Sequence, residues 1–355
     1  MAPLQLYLSF YSSLFRSMWT LAFARLYRPQ NLSKRDLTGR IAIITGANSG
    51  IGLSIATHLA RQGAKAIDEI VSKIGDKSRD RLHCWNLDTS DLSSVRAFCG
   101  RWEREGSHEI DMLVHNAGIA SIPANSSPTT PDGNDLILTT NFLGSFLMTR
   151  LLLPHLTSAA RVVLTSSTGH YAAADLLQSQ QAQHAPGFFA RLGAFISTKL
   201  NLPTPSSPTY THSKALQVLF AYLLQMHFNR DPHASRSAHA FLPGFTYTLI
   251  FGKLDMSWRL WVADPFFALL RVAERYVAVD ADQGARTGSW LAAEGTKEGG
   301  GSVWEWGIKR TSLVDMMRGT LGENEWQRRA GEEWRAWERK TGVKWELGIE
   351  DVKSR

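Results

Sequence analysis

The chain of 355 residues is 44% hydrophobic and 20% charged, which is ordinary for a globular protein with a sizeable core. Its formal net charge is +7, but the basic residues are scattered apart from an N-terminal cluster, and no basic stretch with interleaved aromatic residues indicates nucleic-acid binding. The only cysteines, Cys84 and Cys99, have no metal-ligand spacing. This argues against a disulfide framework and against zinc, and we expect no metal.

Residues 4–27 are mostly apolar, with Arg16 and Arg25 among them. A helical wheel puts one narrow polar stripe on an otherwise aliphatic and aromatic surface. The stripe consists of Gln5, Ser9, Ser12, Ser13, Arg16, Ser17 and Thr20. This pattern favours an amphipathic helix in a membrane interface. The alternatives are a membrane-spanning anchor, against which the central Arg16 argues, and a helix packed on the protein's own core.

The stretch from Thr45 to Gly52 reads Thr-Gly-Ala-Asn-Ser-Gly-Ile-Gly and lies between a short apolar run and the apolar start of a helix. A strand, a glycine-rich turn and a helix start together form a phosphate cradle. Gly46 allows the tight turn, and Gly50 lets the backbone approach a pyrophosphate that the helix N-terminus attracts. The alternative is a plain structural turn, because glycine is common in turns.

A second strand should follow this unit, but the sequence shows no apolar run long enough for one. After Gly63 the apolar positions have helical spacing, at Ile67, Ile70, Val71 and Ile74. We therefore expect an α/β fold, a Rossmann-type doubly wound parallel sheet, with a shortened or missing second strand. Loss of that central strand would weaken cofactor binding.

Residues 82–87 have the pattern of a strand that ends at Asp88. A carboxylate there can accept a hydrogen bond from an adenine amino group. The alternative is that Asp88 begins the turn before a predicted helix at 92–105.

The next predicted strand, 110–114, leads into small residues that let the backbone pass close to a ligand, namely Asn116, Ala117 and Gly118. A long helix at 135–153 and a buried strand at 161–165 are predicted next. That strand ends in Ser166 and Ser167.

Tyr210 and Lys214 are four positions apart at the head of an apolar helix, so they share one helix face. A phenol has an ordinary pKa near 10, and a nearby ammonium stabilises the phenolate and lowers that pKa toward useful proton transfer. The alternative is an ordinary pair on a helix surface.

Taken in order, these motifs resemble the short-chain dehydrogenase/reductase family, over roughly residues 38–310. Within it, the chain is most similar to the retinol-dehydrogenase-like branch. The residues that carry the resemblance are Thr45 to Gly52, Asn116-Ala117-Gly118, Asn141, Ser167, Tyr210 with Lys214, and Pro243-Gly244 with Thr248.

The resemblance implies a catalytic set. Tyr210 would exchange a proton with the substrate oxygen, and Ser167 would polarise the same oxygen, with Ser166 the less favoured candidate. Lys214 would lower the pKa of Tyr210 and bind the nicotinamide ribose. Asn141 would hold a water that links Lys214 to solvent.

The resemblance also implies an NADP cofactor, with NAD as the alternative. The expected cofactor contacts include the phosphate cradle and Asp88. They are Gly46, Asn48, Ser49, Gly50, Ile51, Gly52, Asp88, Asn116, Ala117, Gly118, Tyr210, Lys214, Pro243, Gly244 and Thr248. The short second strand removes the family's usual discriminator between the two cofactors, for which Lys65 or Arg61 are weak substitutes.

Two further segments bear on the substrate. Ser167 and Tyr210 are separated by an insertion, 171–206, whose apolar residues indicate part of a wall for a bulky lipophilic substrate; the alternative is a surface excursion. Residues 249–279 are apolar and aromatic, and in the resembling family this region closes over the substrate.

We expect a membrane-associating arm at 1–37, the dehydrogenase domain at 38–310 and a helical tail at 311–355.

The sequence thus predicts an oxidoreductase that transfers a hydride between NADP(H) and a lipophilic alcohol, ketone or aldehyde. The alternative is a catalytically impaired relative that acts as a membrane-associated binding protein. The expected partners are a small lipophilic substrate and a membrane surface, with no nucleic acid. Basic residues after the arm favour a body facing the cytosol, with the endoplasmic reticulum as the candidate membrane. The oligomeric state is left open.

Overall fold

The computed structural model describes residues 4–23, 30–32, 35–67, 82–105, 109–123, 126–173, 208–246 and 278–345. Within these ranges the strands form one sheet, made of β1 (Ile41–Ile44), β2 (Lys65–Ile67), β3 (Leu82–His83), β4 (Ile110–His115), β5 (Leu156–Thr165), β6 (Ser237–Leu242), β7 (Val303–Glu305) and β8 (Ile308–Arg310). Their order is β3-β2-β1-β4-β5-β6-β7-β8, and each neighbouring pair is parallel except β7 with β8. The chain adds β2 and β3 on one side of β1, and β4 and the later strands on the other side, which confirms the doubly wound Rossmann-type sheet.

Helices cover both faces of this sheet. They are α1 (Leu4–Phe23), α2 (Gly50–Arg61), α3 (Leu92–Glu105), α4 (segments Leu136–Leu138, Thr139–Leu143 and Gly144–Leu152), α5 (Pro208–Phe228), α6 (Ala281–Glu294), α7 (Leu313–Leu321) and α8 (Glu323–Thr341). Alternate residues of β1 point to opposite faces. Ala42 and Ile44 pack with α2 and α6, while Ile41 and Ile43 join the larger core under α3, α4 and α5.

The second strand is present, so the part of the prediction that allowed for its loss is wrong, and the part that expected a short strand is confirmed. β2 has three residues and pairs in parallel with β1 on one edge and β3 on the other. Three residues carry no periodicity of their own, so this strand is defined by its two neighbours. The predicted helical run is contradicted at Ile67, and its remainder, 68–74, lies outside the described residues.

Two other predicted elements differ in detail. β3 ends at His83, four residues before the predicted strand end, and the predicted long helix α4 contains a π-helical turn, Thr139–Leu143. The segment Leu136–His155 is long and apolar enough to cross a membrane, but 72% of it is buried inside the protein. It is therefore a core helix of the α/β body.

The N-terminal helix α1 packs on this body through its polar stripe. Ser13, Ser17 and Thr20 are buried, whereas the aromatic and aliphatic side chains on the other side are exposed; these include Leu4, Leu8, Tyr11, Phe15, Met18, Trp19 and Phe23. The helix is thus amphipathic as predicted, and three residues of its polar stripe point inward together with Phe10. Ser12 and Arg16 of the stripe are exposed, as are the large apolar side chains just listed.

The C-terminal helix α8 packs on the larger core through aromatic contacts. Trp334 and Trp337 are each 2% exposed and pack against Phe142 and Phe146 of α4 and Phe220 of α5, with ring centroids 4.7–6.3 Å apart. Such ring pairs add to the stabilisation from burial. This packing fixes α4 and α5 against each other, and both of these helices carry residues of the candidate site.

Candidate active site

The glycine-rich turn lies at the crevice between the carboxyl ends of β1 and β4, where the strand order of the sheet changes direction. Gly46 and Gly50 have φ values of 66° and 56°, which glycine adopts without strain. A Cβ at Gly46 would lie 2.8 Å from the Ala117 Cα, and a Cβ at Gly52 would overlap the Gly46 carbonyl. A side chain at either position would therefore overlap neighbouring backbone atoms.

The start of α2 is open toward this crevice. Its N-cap residue is Ser49, whose side chain makes no capping hydrogen bond to the helix; the Ser49 hydroxyl instead donates to Asn48 Oδ1 at 3.4 Å. Free N–H groups and the positive end of the helix dipole favour a phosphate at such a position. Asn48, Ser49 and Ile51 thus lie where the sequence predicted the cradle.

Thr45 and Asn116 tie the ends of β1 and β4 together. The Thr45 hydroxyl accepts hydrogen bonds from the Asn116 N–H at 3.0 Å and from the Ala117 N–H at 3.1 Å. The Asn116 amide in turn donates to the carbonyl oxygens of Thr45 and Gly46, both at 3.3 Å. These bonds hold the two sides of the crevice in a fixed relation.

Asp88 is exposed and organises a turn. Its Oδ1 accepts hydrogen bonds from the Ser90 N–H at 2.8 Å and the Ser90 hydroxyl at 2.6 Å, and this is the contact that the turn interpretation requires. Asp88 also lines a cleft of about 570 Å³ together with Ile119 and Thr140. The turn contact is thus observed, and the adenine contact stays a prediction.

Asn141 is fully buried in the π-helical turn of α4 and clamps the loop after β4. Its Nδ2 donates to the Ile119 carbonyl at 2.9 Å, and its Oδ1 accepts from the Ile119 N–H at 2.8 Å. A Cβ at Gly118 would lie 3.0 Å from Asn141 Oδ1 and 3.4 Å from Lys214 Nζ. Gly118 thus leaves room for these two side chains, and π-helical turns often occur at functional sites.

The two serines after β5 have different partners. The buried Ser166 hydroxyl donates to the Lys214 carbonyl at 2.8 Å and so anchors α5 to the sheet. Ser167 begins the 3₁₀ turn Thr168–Ala172, and its Oγ accepts from the Gly169 N–H at 3.2 Å. A Cβ on Gly169 would lie 3.6 Å from this Oγ and 3.7 Å from Tyr210 Cε1. Ser167 is therefore the serine that lies against the phenol.

Tyr210 and Lys214 are both buried, with Lys214 Nζ 5.8 Å from the centroid of the Tyr210 ring. Burial raises the pKa of Tyr210 above its ordinary value, and the hydrogen bond to Ser167 opposes this rise. Burial also lowers the pKa of Lys214 to about 7. The expected net lowering of the Tyr210 pKa is therefore not found, because burial is the largest influence on this group.

Gln217, which the sequence analysis did not single out, connects Lys214 to Asn141. The Lys214 ammonium donates to the Thr165 carbonyl at 2.9 Å and to Gln217 Oε1 at 3.3 Å. Gln217 Nε2 donates to the Asn141 carbonyl at 2.6 Å. The spacing of Lys214 and Gln217, three positions apart on one helix, was the available signal, but the partner on α4 was not visible in sequence.

The residues after β6 reach the same edge of the sheet. Pro243 accepts a hydrogen bond at its carbonyl from the Thr246 hydroxyl at 3.0 Å, and Gly244 has a φ of 75°. Thr248 and most of the insertion, 174–206, lie outside the described residues, as do 249–277. Contacts among the described residues thus join two groups of predicted site residues. Gly46 and Gly52 lie against Asn116 and Ala117, and Lys214 lies near Gly118 and Tyr210. Thr248 lies outside the described residues.

Comparison with known proteins agrees with this geometry. The family model described as short chain dehydrogenase matches residues 40–176. Polyprenol dehydrogenase from Mus musculus is 32% identical over 85% of this chain and 84% of its own length, and Retinol dehydrogenase 11 from Mus musculus is 29% identical over 76% and 78%.

Solved structures share the fold. An uncharacterized protein from Mycobacterium Paratuberculosis aligns over 89% of this chain and 98% of its own, with 25% identity and a TM-score of 0.55. A short chain dehydrogenase from Burkholderia cenocepacia in complex with NADP aligns over 76% and 97%, with 21% identity and a TM-score of 0.50.

The chain belongs to the short-chain dehydrogenase/reductase family, in its retinol-dehydrogenase-like branch. It is therefore an NAD(P)-dependent oxidoreductase that acts on CH–OH groups.

Proposed function

We propose that this enzyme transfers a hydride between NADP(H) and a lipophilic alcohol, ketone or aldehyde, with Tyr210 as the general acid or base. The observation that carries the proposal is the position of Ser167 beside Tyr210, next to the buried Lys214: a Cβ on Gly169 would lie 3.6 Å from Ser167 Oγ and 3.7 Å from Tyr210 Cε1. Two adjoining hydroxyl groups can both contact one substrate oxygen, which is the arrangement that proton transfer to a carbonyl requires.

Each side chain has its own task in this proposal. Because burial raises its pKa, Tyr210 is a neutral phenol at physiological pH and can give a proton to a carbonyl oxygen that gains negative charge. Ser167 donates a hydrogen bond to that oxygen and polarises the carbonyl. Lys214 supplies positive charge near the phenolate as it forms, and Asn141 keeps the loop beside it in place. The cofactor, when bound, supplies the hydride.

The described crevice fits a nicotinamide dinucleotide. A Cβ would clash at Gly46 and at Gly52, and the first turn of α2 has donors free for a pyrophosphate. We propose that the predicted contacts from Gly46 to Gly52, from Asn116 to Gly118, at Asp88 and at Pro243, Gly244 and Thr248 hold this cofactor.

The choice between NADP and NAD depends on the end of β2. The strand ends at Ile67, and Asp68 and Glu69 follow in the sequence. An acidic residue after this strand favours NAD, because it accepts a hydrogen bond from the ribose 2′-hydroxyl and repels a 2′-phosphate. Lys65 and Arg61 are the basic residues that favour NADP. NADP(H) stays the prediction from the resemblance, and this observation makes NAD(H) a specific alternative.

The proposed substrate is lipophilic and reaches the enzyme at a membrane. Two relatives are named for polyprenol and retinol, which are both apolar alcohols. In this chain, the outward face of α1 exposes large apolar side chains, among them Phe15 at 66% and Trp19 at 47%. We propose that this face contacts the membrane surface. The endoplasmic reticulum and a cytosolic orientation remain predictions, as do the division into 1–37, 38–310 and 311–355 and the role of 171–206 in the substrate wall.

The alternative, a catalytically impaired binding protein, rested on a lost second strand. β2 is present and pairs on both edges, which removes the main argument for it.

The test is a turnover assay of the purified full-length chain in detergent micelles, with retinal, a long-chain ketone and a polyprenol as probes and with both cofactors. We expect oxidation of NADPH or NADH with a carbonyl probe, and loss of that signal in Tyr210→Phe. Substrate-independent cofactor binding with no turnover of any probe, equal in wild type and Tyr210→Phe, would instead support the binding protein.

A further inference from the structure

The buried side of α1 contacts a charged pair inside the protein, Glu305 with Arg310. Glu305, at the end of β7, is fully buried, and its carboxylate accepts a hydrogen bond from the Ser17 hydroxyl at 2.8 Å. It shares the Thr20 hydroxyl proton with the Ser17 carbonyl, at 3.0 Å and 2.8 Å respectively. Arg310 of β8, 5% exposed, donates to the same carboxylate at 2.8 Å. We call these four residues, Ser17, Thr20, Glu305 and Arg310, the α1 latch.

The latch makes α1 part of the catalytic body. A buried carboxylate needs hydrogen-bond donors in place of water, and here two of its donors come from α1. An anchor that served only to hold a membrane would have no need of buried hydroxyl groups. The inward hydroxyl groups of α1 are therefore complementary to the buried carboxylate of this α/β body.

Contacts of α1 continue to the turn that carries Ser167. The Phe10 ring of α1 packs edge-on against the Tyr171 ring, with centroids 5.4 Å apart. The Tyr171 hydroxyl donates to the Thr311 carbonyl at 3.2 Å, and the Thr311 N–H donates to Ser13 of α1 at 3.0 Å. Tyr171 is thus enclosed by α1 and by the segment after β8.

Tyr171 lies one residue after the histidine that holds Ser167. The rings of His170 and Tyr171 stack with centroids 3.9 Å apart, and His170 Nδ1 lies 2.8 Å from the Ser167 carbonyl. Burial lowers the pKa of His170 to about 4, so at neutral pH the ring is uncharged and its Nδ1–H can donate to that carbonyl. The position of Ser167 therefore depends on packing that includes α1.

We propose that the α1 latch positions Ser167 for catalysis, through Tyr171 and His170, in addition to any contact that α1 makes with a membrane. This inference rests on the proposed role of Ser167. Ser17, Thr20, Glu305 and Arg310 are positioning residues, because none of them touches the reacting atoms. Their effect on turnover is independent of a lipid surface.

The experiment compares variants of the full chain, in detergent micelles without lipid, by the reduction of two small probes, hexanal and benzaldehyde. Ser17→Ala with Thr20→Ala removes two latch donors. Ser12→Ala makes the same change at an exposed hydroxyl of the same helix, and Thr20→Ser keeps the donor while it changes the side chain. Each variant is measured for kcat, KM and cofactor affinity.

We expect the double variant to lose about 10- to 100-fold in kcat, the range for a misplaced catalytic group, with cofactor affinity unchanged. Ser12→Ala and Thr20→Ser should keep the wild-type kcat. In a Ser167→Ala background, the double variant should cause no further loss, because the latch acts through Ser167. Phe15→Ser with Trp19→Ser should reduce binding to phosphatidylcholine vesicles while kcat for the small probes is unchanged.

The outcomes separate the two proposals. If Ser167→Ala abolishes turnover but the double variant retains the wild-type kcat, the latch has no positioning role and the proposed function stands. A double variant whose loss adds fully to that of Ser167→Ala also overturns the inference. A wild-type chain that reduces neither of these small probes nor any lipophilic probe overturns both.

Discussion

Gln217 accepts a hydrogen bond from the Lys214 ammonium, and its replacement gives a prediction with a defined sign. Gln217→Leu keeps the size of the side chain but removes the bond from Lys214 Nζ, 3.3 Å, and the bond to the Asn141 carbonyl, 2.6 Å. Lys214 keeps its bond to the Thr165 carbonyl, so the Asn141 carbonyl is the group that loses its partner. One buried group left unpaired costs about 1–3 kcal/mol, and we expect the free energy of unfolding to fall by that amount.

The pH dependence of turnover should change as well. Burial sets the pKa of Lys214 at about 7, and carbonyl reduction that needs the ammonium loses rate as pH rises through that value. Loss of the Gln217 acceptor destabilises the ammonium, so the pKa of Lys214 falls and the alkaline limb of kcat moves to lower pH. A hydrogen bond worth about 1 kcal/mol corresponds to a shift of about 0.7 pH unit.

Two further variants make this prediction sharp. Gln217→Glu places a carboxylate beside the ammonium, which raises the pKa of Lys214 and moves the limb to higher pH. Gln225 is a second buried glutamine on α5, with bonds to Asn229 and Ala238, so Gln225→Leu should destabilise the protein and leave the limb in place. The assay is kcat against pH with unfolding followed by denaturant. Identical limbs in wild type, Gln217→Leu and Gln217→Glu would refute the assignment.

Three other changes follow from the site and the core. Tyr210→Phe should lower kcat by at least about 100-fold and leave cofactor affinity unchanged, since it removes only the acid-base group; stopped-flow hydride transfer and cofactor titration measure the two separately. Gly52→Ala should weaken cofactor binding by about tenfold or more, because the new Cβ meets the Gly46 carbonyl and the Asn116 amide, and a full-strength titration would contradict this. Trp337→Ala should lower the free energy of unfolding by about 3–5 kcal/mol, and urea denaturation tests it. A loss below about 1 kcal/mol would show that the aromatic cluster adds little.

Local patterns predicted the parts of the protein that local sequence determines. The cradle from Thr45 to Gly52 was predicted because its glycines have a conformational task that few other residues can perform. The helix at 92–105 was predicted at the observed bounds, Leu92–Glu105. In both cases, the residues that define the element are close together in the sequence.

The parts that the sequence did not reveal depend on distant partners. β2 is a strand because β1 and β3 flank it, and its three residues carry no pattern of their own. Gln217 meets the Asn141 carbonyl, 76 positions away, and Ser17 meets Glu305, 288 positions away. The stripe on α1 was visible in the sequence, but the acceptor that turns it inward was not.

The central claim is that the crevice at the β1–β4 junction binds a nicotinamide dinucleotide and presents it to Tyr210. The most direct test is a titration of the purified chain with NADPH and with NADH, followed by nicotinamide fluorescence. We expect micromolar affinity for at least one of them, retained in Tyr210→Phe and weakened in Gly52→Ala. No saturable binding of either cofactor to the folded wild-type protein would contradict the account.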